Sequence, residues 1–260
     1  MKILVTFALE SEFAPWRAMH DFRAGALDAA DMYCAQIGDA EVEVVLTGVG
    51  SRQAALTASN MFHGGEESIN FCISAGLAGA LRPEYEIGRV LAAQSVISEI
   101  PRSGSEGNSV VSSGALVSFA SEYGATLVDR FYSSDHPVAS AKEKRALESR
   151  AAAVEMESFE ILLAARSAGV PAVAIRAVSD AVDEDLPIDM SNIFNNEGRV
   201  SVPRVLGEVA RHPQSIPGLV KLGQNAKRAA ESLARFLDGY IPGVARRAGS
   251  LEMKATVTAG

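Results

Sequence analysis

Ala172-Val173-Ala174-Ile175-Arg176-Ala177-Val178-Ser179-Asp180 is the stretch that decides the fold. Its apolar residues run on almost without alternation, as they do in a strand covered on both faces. Ser179 and Asp180 close the run, so a carboxylate is expected at the strand's C-terminal end. Comparable runs lie at 3–9, 42–47, 69–75, 89–97 and 151–154, with helix-like stretches at 52–62, 115–131, 141–149 and 156–168 between them. The alternation predicts an α/β fold: a single three-layer α/β/α domain over 1–200 around a central mixed sheet. Segments 100–113, rich in Gly and Ser, and 183–198, acidic with several Asn, read as loops, the second a loose lid.

The last third reads as a helical C-terminal extension over 201–242, followed by a flexible tail over 243–260. Leu219, Leu222, Ala226, Ala229, Leu233, Phe236 and Tyr240 form one apolar stripe at helical spacing, which predicts a helix packed on the sheet domain or on a partner subunit.

Across 260 residues, 24 basic side chains stand against 32 acidic ones, for a net charge of −8, and 48% of the chain is apolar. That composition supports a sizeable core and excludes a wholly disordered chain. The acidic balance argues against non-specific nucleic-acid binding, which needs Lys and Arg to displace counterions. Cys34 and Cys72 are too few for a disulfide scaffold and read as buried thiols in a reducing compartment. No apolar run approaches the ~18 residues of a membrane span. Glu10 and Glu12 close the N-terminal apolar run early, so a cytoplasmic protein is expected rather than a secreted one.

Acidic residues at strand ends carry the chemistry. Glu10 and Glu12 follow the first strand, Glu155 and Glu157 flank Met156 between a short strand and a helix, and Asp180 ends the strand described above. Each alone reads as a cap or a solvated charge. Carboxylates at the ends of separate strands of one sheet are gathered along one edge, where α/β sheets place ligands. Gly48-Val49-Gly50 lacks the third glycine of a dinucleotide fingerprint, because Gln53 stands there, but it is expected to leave bare backbone amides for an anion or polar ligand. Ser74 to Gly79, with Gly76 and Leu77 at its centre, reads as a small-residue floor for a flat ligand. His20, His63, His136 and His212 show no metal-ligand spacing, and no metal or organic cofactor is expected.

Phe7-Ala8-Leu9-Glu10-Ser11-Glu12, Thr47-Gly48-Val49-Gly50, Ser74 to Leu81, Val154-Glu155-Met156-Glu157-Ser158 and Arg176-Ala177-Val178-Ser179-Asp180 follow one another as in methylthioadenosine/S-adenosylhomocysteine nucleosidases, which the chain resembles over roughly 1–200. Those enzymes belong to the purine nucleoside phosphorylase superfamily. Gly198-Arg199-Val200 and Arg211-His212-Pro213 are similar to its hopanoid-associated phosphorylase branch. The resemblance implies a nucleoside phosphorylase-like fold, a homodimer or larger homo-oligomer, and cleavage of an adenine nucleoside. It makes Asp180 the general acid on the purine and Glu12 the general base on water. Glu157 would hold the ribose hydroxyls over Met156, with Glu155 beside them. Arg176 and Ser179 would orient Asp180, and the Val138 backbone would meet the base edge. Val49, Gly76, Leu77 and Phe194 would complete the substrate-binding wall. Ser74 stands where the phosphorylases carry an arginine, Leu77 where a serine is usual, and Pro137 where an aromatic stacks on adenine. The first two remove a charge-assisted donor and a hydroxyl from a phosphate site and so favour hydrolysis; Pro137 offers adenine an apolar wall without a π-face. The alternatives are phosphorolysis of an adenosyl lipid, with phosphate as co-substrate, and a nucleoside-binding protein without turnover.

Overall fold

The computed structural model describes residues 1–25, 30–63, 69–99, 108–188, 193–195 and 197–257. Strand β1 (Lys2–Phe7) leads into helix α1 (Glu10–Arg17); β2 (Arg23–Ala24), β3 (Asp31–Ile37) and β4 (Ala40–Leu46) follow, then α2 (Ser51–His63) and β5 (Phe71–Ala80). Next come β6 (Val90–Ser98), β7 (Ser109–Val111), α3 (Gly114–Glu122), β8 (Thr126–Ser133) and α4 (Ala141–Leu147). The chain continues through β9 (Ala153–Glu155), α5 (Ser158–Ser167), β10 (Ala172–Asp180), α6 (Val202–Arg211) and α7 (Ile216–Val257).

The expected three-layer α/β/α arrangement holds. Alternate residues of the strands enter different cores, as the two-residue period of a strand requires. Ile3, Val5 and Phe7 of β1, with Val173, Ile175 and Ala177 of β10, pack with Phe13 and Trp16 of α1, Leu116 of α3 and Leu233 and Tyr240 of α7. Leu4 of β1, with Ala172, Ala174 and Val178 of β10, packs instead with Ala54 of α2 and Phe159 and Leu162 of α5.

The sheet is mixed and curls back on itself. β4, β1, β5 and β10 are parallel neighbours, and β6 pairs antiparallel with β10. β8 pairs parallel with both β6 and β9, and β9 returns antiparallel to β5. The path β5–β10–β6–β8–β9–β5 is therefore closed. One edge of β5 is shared in sequence by two partners: β1 takes Phe71 to Ser74, and β9 takes Gly79 and Ala80. The gap between them opens the functional site.

Several elements differ from the sequence reading. The helix expected over 115–131 stops at Glu122, where Gly124 turns the chain at φ +92°, and β8 follows, rich in β-branched and aromatic residues. β3 has no counterpart in the sequence reading because its polar residues Asp31 and Gln36 break the apolar run; it lies between β4 and the two-residue β2. Within the expected loop 100–113, residues 109–111 form β7; 100–107 lie outside the described residues. The C-terminal helix does not stop at Pro242 but runs through it to Val257. An interior proline forfeits one helical hydrogen bond, and full burial of Tyr240, Ile241 and Val244 around it offsets that loss. Ala229, Leu233, Phe236 and Tyr240 of the expected stripe are buried against the sheet domain. No helix among the described residues is long and apolar enough to cross a membrane.

Candidate active site

Glu12 fills the gap along β5. It sits in the first turn of α1 and folds back so that Oε2 accepts the amides of Ala8 (2.9 Å) and Leu9 (3.2 Å). Its Oε1 accepts the amide of Leu77 at 3.1 Å, a β5 donor lying between the stretches paired with β1 and β9. Burial raises the Glu12 carboxyl above the ordinary carboxylate range, while the Arg176 charge and the three amides pull it back. A buried carboxylate with a raised proton affinity is suited to taking a proton from water.

The Glu155-Met156-Glu157 segment divides its two acids between different tasks. Glu155 Oε2 receives the amides of Glu157 (2.9 Å) and Ser158 (2.7 Å), so it caps the start of α5, and it also receives Arg176 Nη2 at 2.7 Å. The side chains of this ion pair are 0% and 2% exposed. Arg176 Nη1 donates to the carbonyl of Ser74 at 2.9 Å, and the Ser74 hydroxyl meets that of Ser158 at 3.1 Å. Glu157 accepts the Gly50 amide at 2.9 Å and lies 3.6 Å from Arg176 Nη2. Burial first, then repulsion from Glu155 and Glu12, raises Glu157 to about 8, against the pull of Arg176.

Asp180 is the last residue of β10. Its Oδ1 accepts the Ser179 hydroxyl at 2.8 Å and its Oδ2 meets Lys144 Nζ at 2.5 Å. Lys144 comes from α4 and is fully buried.

These groups enclose a cavity of about 190 Å³. Glu12, Glu155, Glu157 and Asp180 line it, with Met156, Ser179, Val138, Leu77, Val49 and Phe194, all of which the sequence reading had placed at the site. Gly76 and Arg176 are not part of its wall. Arg176 stands behind Glu155 and binds that acid, and the side-chain contacts to Asp180 come instead from Ser179 and Lys144. Ser74 is buried beside Arg176 and does not reach the cavity wall. The amides expected to be bare at Gly48-Val49-Gly50 are taken up by the carbonyls of Ala8 and Gly198 and by Glu157. Gly198 packs so tightly on this loop that a Cβ would lie 2.5 Å from the Val49 amide nitrogen. The lining also includes His136, Pro137 and Leu186, and a second lobe of about 320 Å³ adjoins it, bordered by Arg52, Gln53, Met156, Phe194 and Asn195. Lys144 and Leu186 had no signal in the sequence: Lys144 is one of four charged residues in a row, Lys142-Glu143-Lys144-Arg145. Among the described residues no group of His, Cys, Asp and Glu is placed to hold a metal ion.

A small cavity at converging strand ends, walled by carboxyl groups and apolar side chains, has the make-up of a small-molecule site. The chain belongs to the phosphorylase superfamily, whose sequence profile matches residues 2–211 and which takes in nucleoside phosphorylases and nucleosidases. Solved structures share the fold at low identity. A 5'-methylthioadenosine/S-adenosyl homocysteine nucleosidase of Helicobacter pylori, complexed with a pyrrolidin-3-ol compound, is 20% identical with TM-score 0.71 over 94% of this chain and 98% of that one. The futalosine hydrolase of the same organism gives the same identity, TM-score and coverage, and the nucleosidase of Campylobacter jejuni gives 19%, 0.70, 94% and 99%. Comparison with curated proteins returns no match.

Proposed function

We propose that this protein hydrolyses the N-glycosidic bond of an adenine nucleoside. The observation that carries the reading is the lining of the cavity: four carboxylates and, among the described residues, no arginine or lysine. An oxocarbenium-like sugar gains from carboxyl groups beside it, whereas a phosphate dianion finds no cationic side chain in this wall to bind it. Asp180 protonates the departing base, Glu12 takes a proton from the attacking water, and Glu157 accepts the ribose hydroxyls above Met156. The second lobe beside Phe194 and Met156 supports a nucleoside carrying a 5′ substituent, such as methylthioadenosine.

Arg52, at the border of the second lobe, favours a second reading: phosphorolysis of an adenosyl lipid. Base release from methylthioadenosine, adenosine and a long-chain adenosyl compound, with and without phosphate, separates the two. Hydrolysis gives free sugar at a rate independent of phosphate. A phosphate requirement with ribose 1-phosphate as product would overturn it. Asp180→Asn is expected to lower base release by about 10²–10⁴-fold. Unchanged turnover in that variant would remove Asp180 from the mechanism.

A further inference from the structure

Lys144 has no role in the reading above, yet it is the most fully enclosed cation beside the cavity. Its side chain is 0% exposed on α4, a helix otherwise turned to solvent over most of its length. Burying an ammonium is costly unless every donor is met, and here each of its protons has an acceptor. Two go to the carbonyls of Ala181 and Glu184, both at 2.9 Å, and the third faces Asp180 Oδ2 at 2.5 Å. The neighbouring acids are otherwise engaged: Glu184 pairs with Lys221, and Asp185 accepts the Ala141 amide at 2.7 Å. Gly79 packs against the same carboxyl group, so closely that a Cβ there would lie 2.8 Å from Oδ2. Ser179 holds the other carboxylate oxygen.

We propose that Lys144 is a positioning residue for the general acid, fixing Asp180 and stabilising the carboxylate it becomes as its proton leaves. The inference rests on the nucleoside-cleaving reading. In that step the Asp180 O–H bond breaks and an N–H bond forms on the base. The O–H electron pair remains on the Asp180 oxygen, and the glycosidic pair leaves with the base. Negative charge thus grows on Asp180 during bond cleavage, and a fixed ammonium in contact with it lowers the energy of that state more than that of the ground state.

The test compares wild type, Lys144→Met, Asp180→Asn and the double variant on methylthioadenosine and on 4-nitrophenyl riboside. The nitrophenolate departs without protonation, so a group acting through the general acid matters little to it. Lys144→Met is expected to lose about 10²-fold in kcat on the nucleoside, with KM changed little, and to stay within about threefold of wild type on the nitrophenyl riboside. In the double variant, where no buried charge is stranded, kcat on both substrates should match Asp180→Asn alone. That comparison decides the matter even if Lys144→Met by itself fails to fold. Equal losses on the two substrates, no loss on the nucleoside, or a further loss in the double variant would each overturn the role. A wild type that releases no base from any nucleoside would instead overturn the nucleosidase reading, and this inference with it.

Discussion

At the scale of single residues, two glutamates separated by Met156 behave differently. Glu155 meets the amides of Glu157 and Ser158 as well as Arg176, while Glu157 is buried with the Gly50 amide at hydrogen-bond distance and Arg176 further off. Glu157 is therefore raised from 4.5 to about 8 in the folded protein. An acid raised by folding binds its proton more tightly in the native state, so its contribution to stability is complete below about 4.5 and lost as pH climbs through about 8. Glu157→Gln is expected to flatten that decline, read as urea midpoints measured across the interval. An identical slope in the variant would show that Glu157 is not the group responsible. The sequence showed both acids at a strand–helix junction, but not which would pair closely with Arg176, because that partner arrives from β10.

At the scale of elements, one buried ion pair adds to the apolar packing where β10 meets the β9–α5 junction. Arg176 crosses under the start of α5 to reach Glu155, and its other nitrogen donates to the Ser74 carbonyl of β5. Removing one member of such a pair strands a buried charge and costs about 3–5 kcal/mol. Arg176→Met is expected to lose that much in denaturant unfolding, and adding Glu155→Gln should recover part of it, since no uncompensated charge then remains. A loss below about 1 kcal/mol would mean that the pair is solvated rather than buried. Other elements show where local pattern misleads. Residues 115–131 carry an apolar run compatible with helix throughout, yet Gly124 splits it into α3 and β8. Pro242 looks like a helix end, yet tertiary burial on both sides carries α7 past it.

At the scale of the molecule, α7 belongs to the core although the superfamily profile ends at residue 211. Leu233, Leu237, Tyr240 and Ile241 are fully buried in one cluster with Phe13 and Trp16, and the Tyr240 hydroxyl donates to the Leu116 carbonyl at 2.9 Å. Burying one such side chain is worth about 1.5–3 kcal/mol, so the helix carries much of a domain's net stability of about 5–15 kcal/mol. A chain ending at Arg211 is expected to lose its cooperative thermal transition and to bind a hydrophobic dye. A sharp melt in the truncated chain would show that the core closes without α7.

The sequence by itself determined the α/β class, the three layers, most strands and helices, and the acids at the strand ends. Those features follow from local periodicity and from residues that start or stop elements. Tertiary structure alone decided that the strands close the path β5–β10–β6–β8–β9, that β5 changes partner between Ser74 and Gly79, and that Glu12 occupies the gap. It also decided that the Gly48–Gly50 amides are already satisfied and that Lys144, one basic residue in a charged run, is enclosed against Asp180. The physical reason is distance along the chain. Partners such as Glu12 with Leu77, Glu155 with Arg176 and Lys144 with Asp180 come from separate elements, and no local pattern encodes which buried charge will meet which.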